Sequence, residues 1–130
     1  MMTSSEYWRA LLHETNVVEQ LSNKLTGQAI HNGAIDAQLQ RQYLVRRAAL
    51  ADRADSLQRA TGFAITSEVD ADLAARHLLD WDREHHTGQG TVPAAAARWD
   101  ADPRGYVHQE HASLCRDDQL DDPDAARPRT

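Results

Sequence analysis

The chain carries one cysteine, Cys115, among 130 residues. A single thiol closes no internal disulfide, so no covalent staple is available and a reducing compartment is the natural setting. Aromatic residues are scarce, at 5%, Val and Ile are few, and Ala is abundant. That balance works against strands and favours helix. No window approaches about 18 consecutive apolar residues, which excludes a membrane-spanning helix. The segment Met-Met-Thr-Ser-Ser-Glu-Tyr-Trp has neither a basic start nor an apolar run, so no signal peptide is expected and a cytoplasmic location is. Lysine is almost missing: Lys24 stands alone beside thirteen arginines. The net charge of −6 lacks the basic footprint of nonspecific nucleic-acid binding, and nucleic acid is not an expected partner.

What is present reads as one globular domain, 41% hydrophobic and 26% charged. Residues 1–115 form the expected folded body. Residues 116–130, rich in Asp, Pro and Arg with Leu120 as the one sizeable apolar group, form an expected disordered tail.

Helical spacing organises the body. Thr3 and Glu6 have the spacing of a capping box, and Tyr7, Leu11, Val18, Leu21 and Leu25 share a face. His31-Asn32-Gly33 ends this first helix, because Asn and Gly tolerate the left-handed conformation of a C-cap. Asp36 is the expected N-cap of a second helix. Leu39, Tyr43, Leu50, Ala54 and Leu57 give it an apolar line, and Thr61-Gly62 closes it. Phe63-Ala64-Ile65 reads as a short apolar linker. A third helix is expected from a Ser67 cap, with Val69, Leu73, His77 or Leu78, and Trp81 buried, ending at Thr87-Gly88-Gln89-Gly90. A short Ala-rich helix is expected from Pro93 to Trp99 and a last helix from Pro103 to Cys115, capped by Asp102. Three long helices of matched length joined by short connections predict an all-α fold: an antiparallel three-helix bundle plus short C-terminal helices.

Two His clusters could carry chemistry. His77, Asp80, His85 and His86 lie near the end of helix 3, and His108 and His111 lie on the last helix. Imidazole and carboxylate at i, i+3 or i+4 can share a divalent metal or form an acid–base pair. The spacing matches no specific metal motif, so no cofactor is expected, and the plainer reading is a solvated helix end. Cys115 would need a base, and His111 stands four residues before it. Asp55-Ser56-Leu57 has the triplet of acyl carrier proteins, but inside a long helix, so it carries no assignment. Arg46 and Arg53, two turns apart, could meet an anion or an acidic partner.

The runs Arg46-Arg47-Ala48-Ala49-Leu50-Ala51-Asp52-Arg53 and Asp102-Pro103-Arg104-Gly105-Tyr106-Val107-His108-Gln109-Glu110 resemble segments of small uncharacterised helical proteins of Streptomyces-type actinobacteria. The resemblance implies no activity. The functional expectation rests on geometry instead. Tyr7, Trp8, Leu11, Leu12 and Val17 cover more of helix 1 than one buried stripe needs, which predicts a noncatalytic interaction or regulatory protein, a homodimer or one docked on a protein partner. The alternatives are a small metal- or His-dependent enzyme using segments 77–86 and 108–111, and a small-ligand binder with a pocket near Trp81 and Trp99.

Overall fold

A computed structural model of the chain describes residues 4–62 and 70–121. The elements in order are α1 (Ser4–Asn32), α2 (Ala37–Thr61), α3 (Ala71–His85), a 3-10 turn (Ala97–Asp100) and α4 (Pro103–Asp121). Among the described residues there is no strand, so the all-α class holds. No described helix is long and apolar enough to cross a membrane.

Local chemistry sets the helix ends. The Asp36 carboxylate accepts the backbone N–H groups of Gln38 and Leu39, capping α2. Gly62, at φ 75°, ends it in the left-handed conformation and donates its N–H to Gln58 O. Asp102 accepts from Gly105 N at 3.0 Å and starts α4 at Pro103, as the sequence predicts. The α3 cap is Asp70, which accepts from Leu73 N. The expected cap Ser67, its neighbour Val69, the Phe63-Ala64-Ile65 linker and Thr3 lie outside the described residues.

α2 is the axis of the packing: α1 lies along it, and α3 and α4 pack on it and on each other. The Gln28 side chain accepts Asp36 N near one end of α1, while Leu11 packs with Leu57 near the other. α1 and α2 therefore run in opposite directions. The main core joins Val45, Ala48 and Ala51 of α2 to Leu78 and Leu79 of α3 and to Tyr106, Val107 and Leu114 of α4. A smaller cluster of Leu11, Ala54 and Leu57 holds α1. Ala48 and Leu57 are nine residues apart, half a turn out of phase at about 100° per residue, so α2 buries two opposite faces. Alanines on one of them let the neighbouring backbones approach closely.

Several expectations are corrected here. The third place in the core belongs to α4, which has 19 residues and continues to Asp121, rather than to α1. The last helix was expected to end at Cys115 and runs six residues further. α3 has 15 residues, so the long helices are not matched in length. Its buried face is Ala74, Ala75, Leu78, Leu79 and Asp82, while Leu73 and His77 are exposed. Small residues and one carboxylate took the core, and the large apolar Leu73 was left at the rim. The expected Ala-rich helix at 93–99 is a 3-10 turn at 97–100.

Candidate functional site

The least expected feature of the interior is ionic. Arg41, Asp82 and Glu110 come from α2, α3 and α4, and all three are at least nine-tenths buried. Arg41 Nε donates to Asp82 Oδ1 and Nη2 to Asp82 Oδ2, both at 2.8 Å, a paired fork geometry. Nη2 also donates to Glu110 Oε1 at 2.7 Å. Burial works against the charge on Arg41, yet the hydrogen bonds and negative charges of Asp82 and Glu110 outweigh it and raise its pKa.

Every carboxylate oxygen in this group accepts two hydrogen bonds. Asp82 Oδ1 also takes the Thr87 hydroxyl, and Oδ2 takes the Tyr106 hydroxyl. Glu110 Oε1 also takes Gln89 N–H, and Oε2 takes Gly90 N–H and Gln109 Nε2. Burial first, and then the bond to Asp82, push the Tyr106 hydroxyl pKa upward, so it stays a donor.

These bonds fix the connection between α3 and α4. Arg83 donates to Ala94 O and pairs with Asp100, and Gln109 bonds both N and O of Val92. Trp99 is buried, donates Nε1 to Pro93 O and meets the Tyr106 ring edge-on. Gly88 passes so close to Tyr106 that a Cβ there would lie 2.8 Å from the hydroxyl, which leaves no room for a side chain without displacing the Asp82 bond.

Over this network opens a cleft of about 430 Å³ between the start of α2 and the end of α3. Its lining includes Ala37, Gln38, Arg41, Trp81, His85 and Gln89. Trp81 and His85 are stacked, with ring centroids 3.9 Å apart, and the His85 Nδ1 is bonded at Trp81 O. His86 closes α3 at φ 55°, left-handed and non-glycine, and also borders the cleft. Such strain costs roughly 1–2 kcal/mol and is a pointer to functional sites. Arg41 Nη1 is the one nitrogen of that guanidinium with no hydrogen bond among the described residues.

A second cavity, about 300 Å³, lies between α1, α2 and α4 and includes Glu14, Asp52, Arg53, His108 and His111 in its lining. His108 Nε2 sits 2.6 Å from Asp52, and Arg104 donates to Asp52 and Asp55 at 2.6 and 2.9 Å. Burial opposes ionisation of Asp52, but the bonds from His108 and Arg104 prevail and hold its pKa below the ordinary value. Burial lowers the pKa of His111.

The sequence candidates therefore divide. His85 and His86 border one cavity, and His108 and His111 line the other. His77 bonds Arg47, and Asp80 is exposed. Among the described residues no three His, Cys, Asp or Glu side chains are arranged to hold a metal ion. Cys115 Sγ is 3.6 Å from His111 Nε2, and that same nitrogen faces Glu14 at 3.9 Å, so Glu14 does not orient the imidazole from its far side. Arg53 donates to Glu14 at 3.4 Å. On α1, Trp8 and Leu12 are exposed, Val17 is half-buried, and Leu11 is buried against α2. The Tyr7 side chain lies outside the described part. Trp99 belongs to the core, so the expected pocket between Trp81 and Trp99 is instead a cleft between Trp81 and the start of α2. Comparison with protein-family models, curated proteins and solved structures finds no match.

The half-buried imidazole generates a pH prediction. His111 meets Glu14 from α1, Arg46 and Arg53 from α2, and His108 and Cys115 on its own helix. Its folded pKa lies below 6.5, so as pH falls through that range the unfolded chain takes up the proton first. This contribution to stability is complete above the unfolded value and is lost toward the lower folded one. The melting temperature should fall between pH 7.5 and 5.5, and His111→Gln should flatten that slope. An unchanged slope in the variant would place the titration elsewhere.

Proposed function

We propose that this chain is a noncatalytic helical binding protein whose ligand seat is the cleft at Arg41, Trp81, His85 and Gln89. The observation that carries the reading is the Arg41 guanidinium. It is fixed on one side by two buried carboxylates, and Nη1 remains as a donor without a partner among the described residues, in a residue that lines the cleft. Ligand sites combine a mostly apolar wall with a few polar groups held in place, in clefts of about 300–1,000 Å³. This one offers Ala37 and the Trp81–His85 stack as wall and Arg41, Gln38 and Gln89 as polar groups. The hydrogen bonding of the carboxylates supports binding over catalysis. A general base needs a lone pair within reach of substrate, and the oxygens of Asp82 and Glu110 are each already bonded twice.

A second reading, self-association or docking through α1, keeps one specific observation: Trp8 and Leu12 are 38% and 63% exposed, one turn apart. With Leu11 already packed on α2, two large side chains per copy remain. Their remaining exposure amounts to about one full side chain per copy, so at about 1.5–3 kcal/mol for each full burial a twofold dimer gains roughly 3–6 kcal/mol. Association costs about 4–15 kcal/mol, so this face supports at most a weak homodimer or the edge of a larger protein interface. Light scattering on the parent and on Trp8→Glu with Leu12→Glu tests it. A parent dimer that the double variant abolishes supports this reading, and a monomeric parent across the micromolar range removes it.

The leading reading is tested by a fragment screen with amide and indole N–H spectra. Binders should shift the Trp81 indole N–H together with residues 86–90, and Trp81→Ala should remove that response. If every binder found acts elsewhere, or Trp81→Ala leaves the response intact, the cleft is not the seat.

A further inference from the structure

From the charges and shapes in the cleft we infer the class of ligand it takes: a small, neutral, planar ring compound bearing a carbonyl, such as an aromatic amide or a lactam. The inference rests on the cleft being the binding seat and adds the chemistry that would be selected there.

Three observations narrow the class. The first is the free Nη1 of Arg41, a nine-tenths-buried residue that lines the cleft. Its N–H groups only donate, so a ligand group that meets them is an acceptor and not a cation.

The second is the charge behind that nitrogen. Asp82 and Glu110 both lie against the one guanidinium, so the three groups together carry −1. Arg41 is not an unmatched positive charge waiting for an anion. A carboxylate or phosphate brought to Nη1 would feel the guanidinium at contact distance and two buried carboxylates just beyond it. A neutral carbonyl takes the same hydrogen bonds without that repulsion.

The third is the wall. Trp81 and His85 stack at 3.9 Å and 23° to form a flat, partly apolar side, and Ala37 stands on the side of α2. Gln38 and Gln89 are exposed at the cleft, and each side-chain amide offers a donor and an acceptor. That pattern complements an amide, which has both, better than an ester or ether, which only accept. About 430 Å³ holds one or two fused rings.

The test uses three probes on the full chain at pH 8: benzamide, benzoate and cyclohexanecarboxamide. Benzamide should bind in the low millimolar range, as a fragment of its size does, shifting the Trp81 indole N–H and the amides of Thr87, Gly88 and Gln89. Benzoate has the same ring with a charged head, and cyclohexanecarboxamide the same head without the flat ring. Each should bind at least tenfold more weakly. Trp81→Leu should weaken benzamide at least tenfold, and Gln89→Ala severalfold, with both variants keeping the parent far-UV spectrum. If benzoate equals or exceeds benzamide, the seat is an anion site and the inferred class is wrong. If cyclohexanecarboxamide matches benzamide, the flat wall selects nothing, and the class is again wrong. In both cases shifts at Trp81 would still leave the cleft as the seat. If benzamide moves none of these resonances at 50 mM, the class is wrong, and the fragment screen decides separately whether the cleft binds anything.

Discussion

Arg41 sits where α2, α3 and α4 meet, and the rest of the fold is arranged around keeping its charge balanced out of water. Two carboxylates, Asp82 and Glu110, reach it from the other two helices at 2.8 and 2.7 Å. Buried ion pairs gain little net stability, because the cost of desolvating each ion is of the same size as the attraction. They do penalise wrong arrangements heavily. A shift of α3 or α4 by one turn would strand a buried charge, whereas an Ala–Leu interface could slide with smaller loss. The network therefore adds a constraint on register to the apolar contacts of the three helices, which combine the alanines Ala48, Ala51, Ala74 and Ala75 with larger groups such as Leu78 and Tyr106.

The same carboxylates organise the segment between α3 and α4. Glu110 accepts two successive backbone N–H groups, from Gln89 and Gly90, and Asp82 accepts the Thr87 and Tyr106 hydroxyls. A connection without long helix or strand would otherwise leave backbone groups to water. Here it is held at both ends, with Tyr106 and Trp99 packed beneath it. Fixing this connection also fixes the cleft, since Thr87, Gly88 and Gln89 border it. The strained His86 persists because its neighbours on both sides are anchored. The residues that border the proposed cleft and those that hold the fold together thus overlap.

The fold class and most helix ends were legible in the sequence because they depend on local chemistry. Asp36, Gly62 and the Asp102-Pro103 pair act within a few residues of themselves. Half of the core was not legible. The line Leu39, Tyr43, Leu50, Leu57 marks the α1 side of α2, and the opposite side is Arg41, Val45, Ala48 and Ala51, which reads as a polar or neutral face. Leu73 was expected inside from its helical spacing with Val69, whereas Ala74 and Ala75 are the residues that are buried. The site was less legible still. Arg41 and Asp82 are 41 residues apart, and Arg41 and Glu110 are 69 apart, so no spacing rule connects them. Asp82 and Glu110 each lie inside a His-rich run, where a carboxylate reads as a solvated group or a possible metal ligand rather than as part of the core. The available signal was the buried flanks: Leu78 and Leu79 before Asp82, and Val107 and Leu114 around Glu110, place both acids on apolar helix faces. Of the two tryptophans, Trp81 borders the cleft and Trp99 is buried in the core.

The central claim is that Arg41 exists to neutralise buried carboxylates, and one pair of variants measured by urea unfolding tests it most directly. Arg41→Met strands two buried negative charges and should cost about 3–5 kcal/mol. Adding Asp82→Asn removes one of those charges while keeping the shape. The double variant should therefore be more stable than Arg41→Met alone, although Asp82→Asn by itself is destabilising. If the two losses simply add to within about 0.5 kcal/mol, the residues are not coupled, and the ionic centre does not organise this fold.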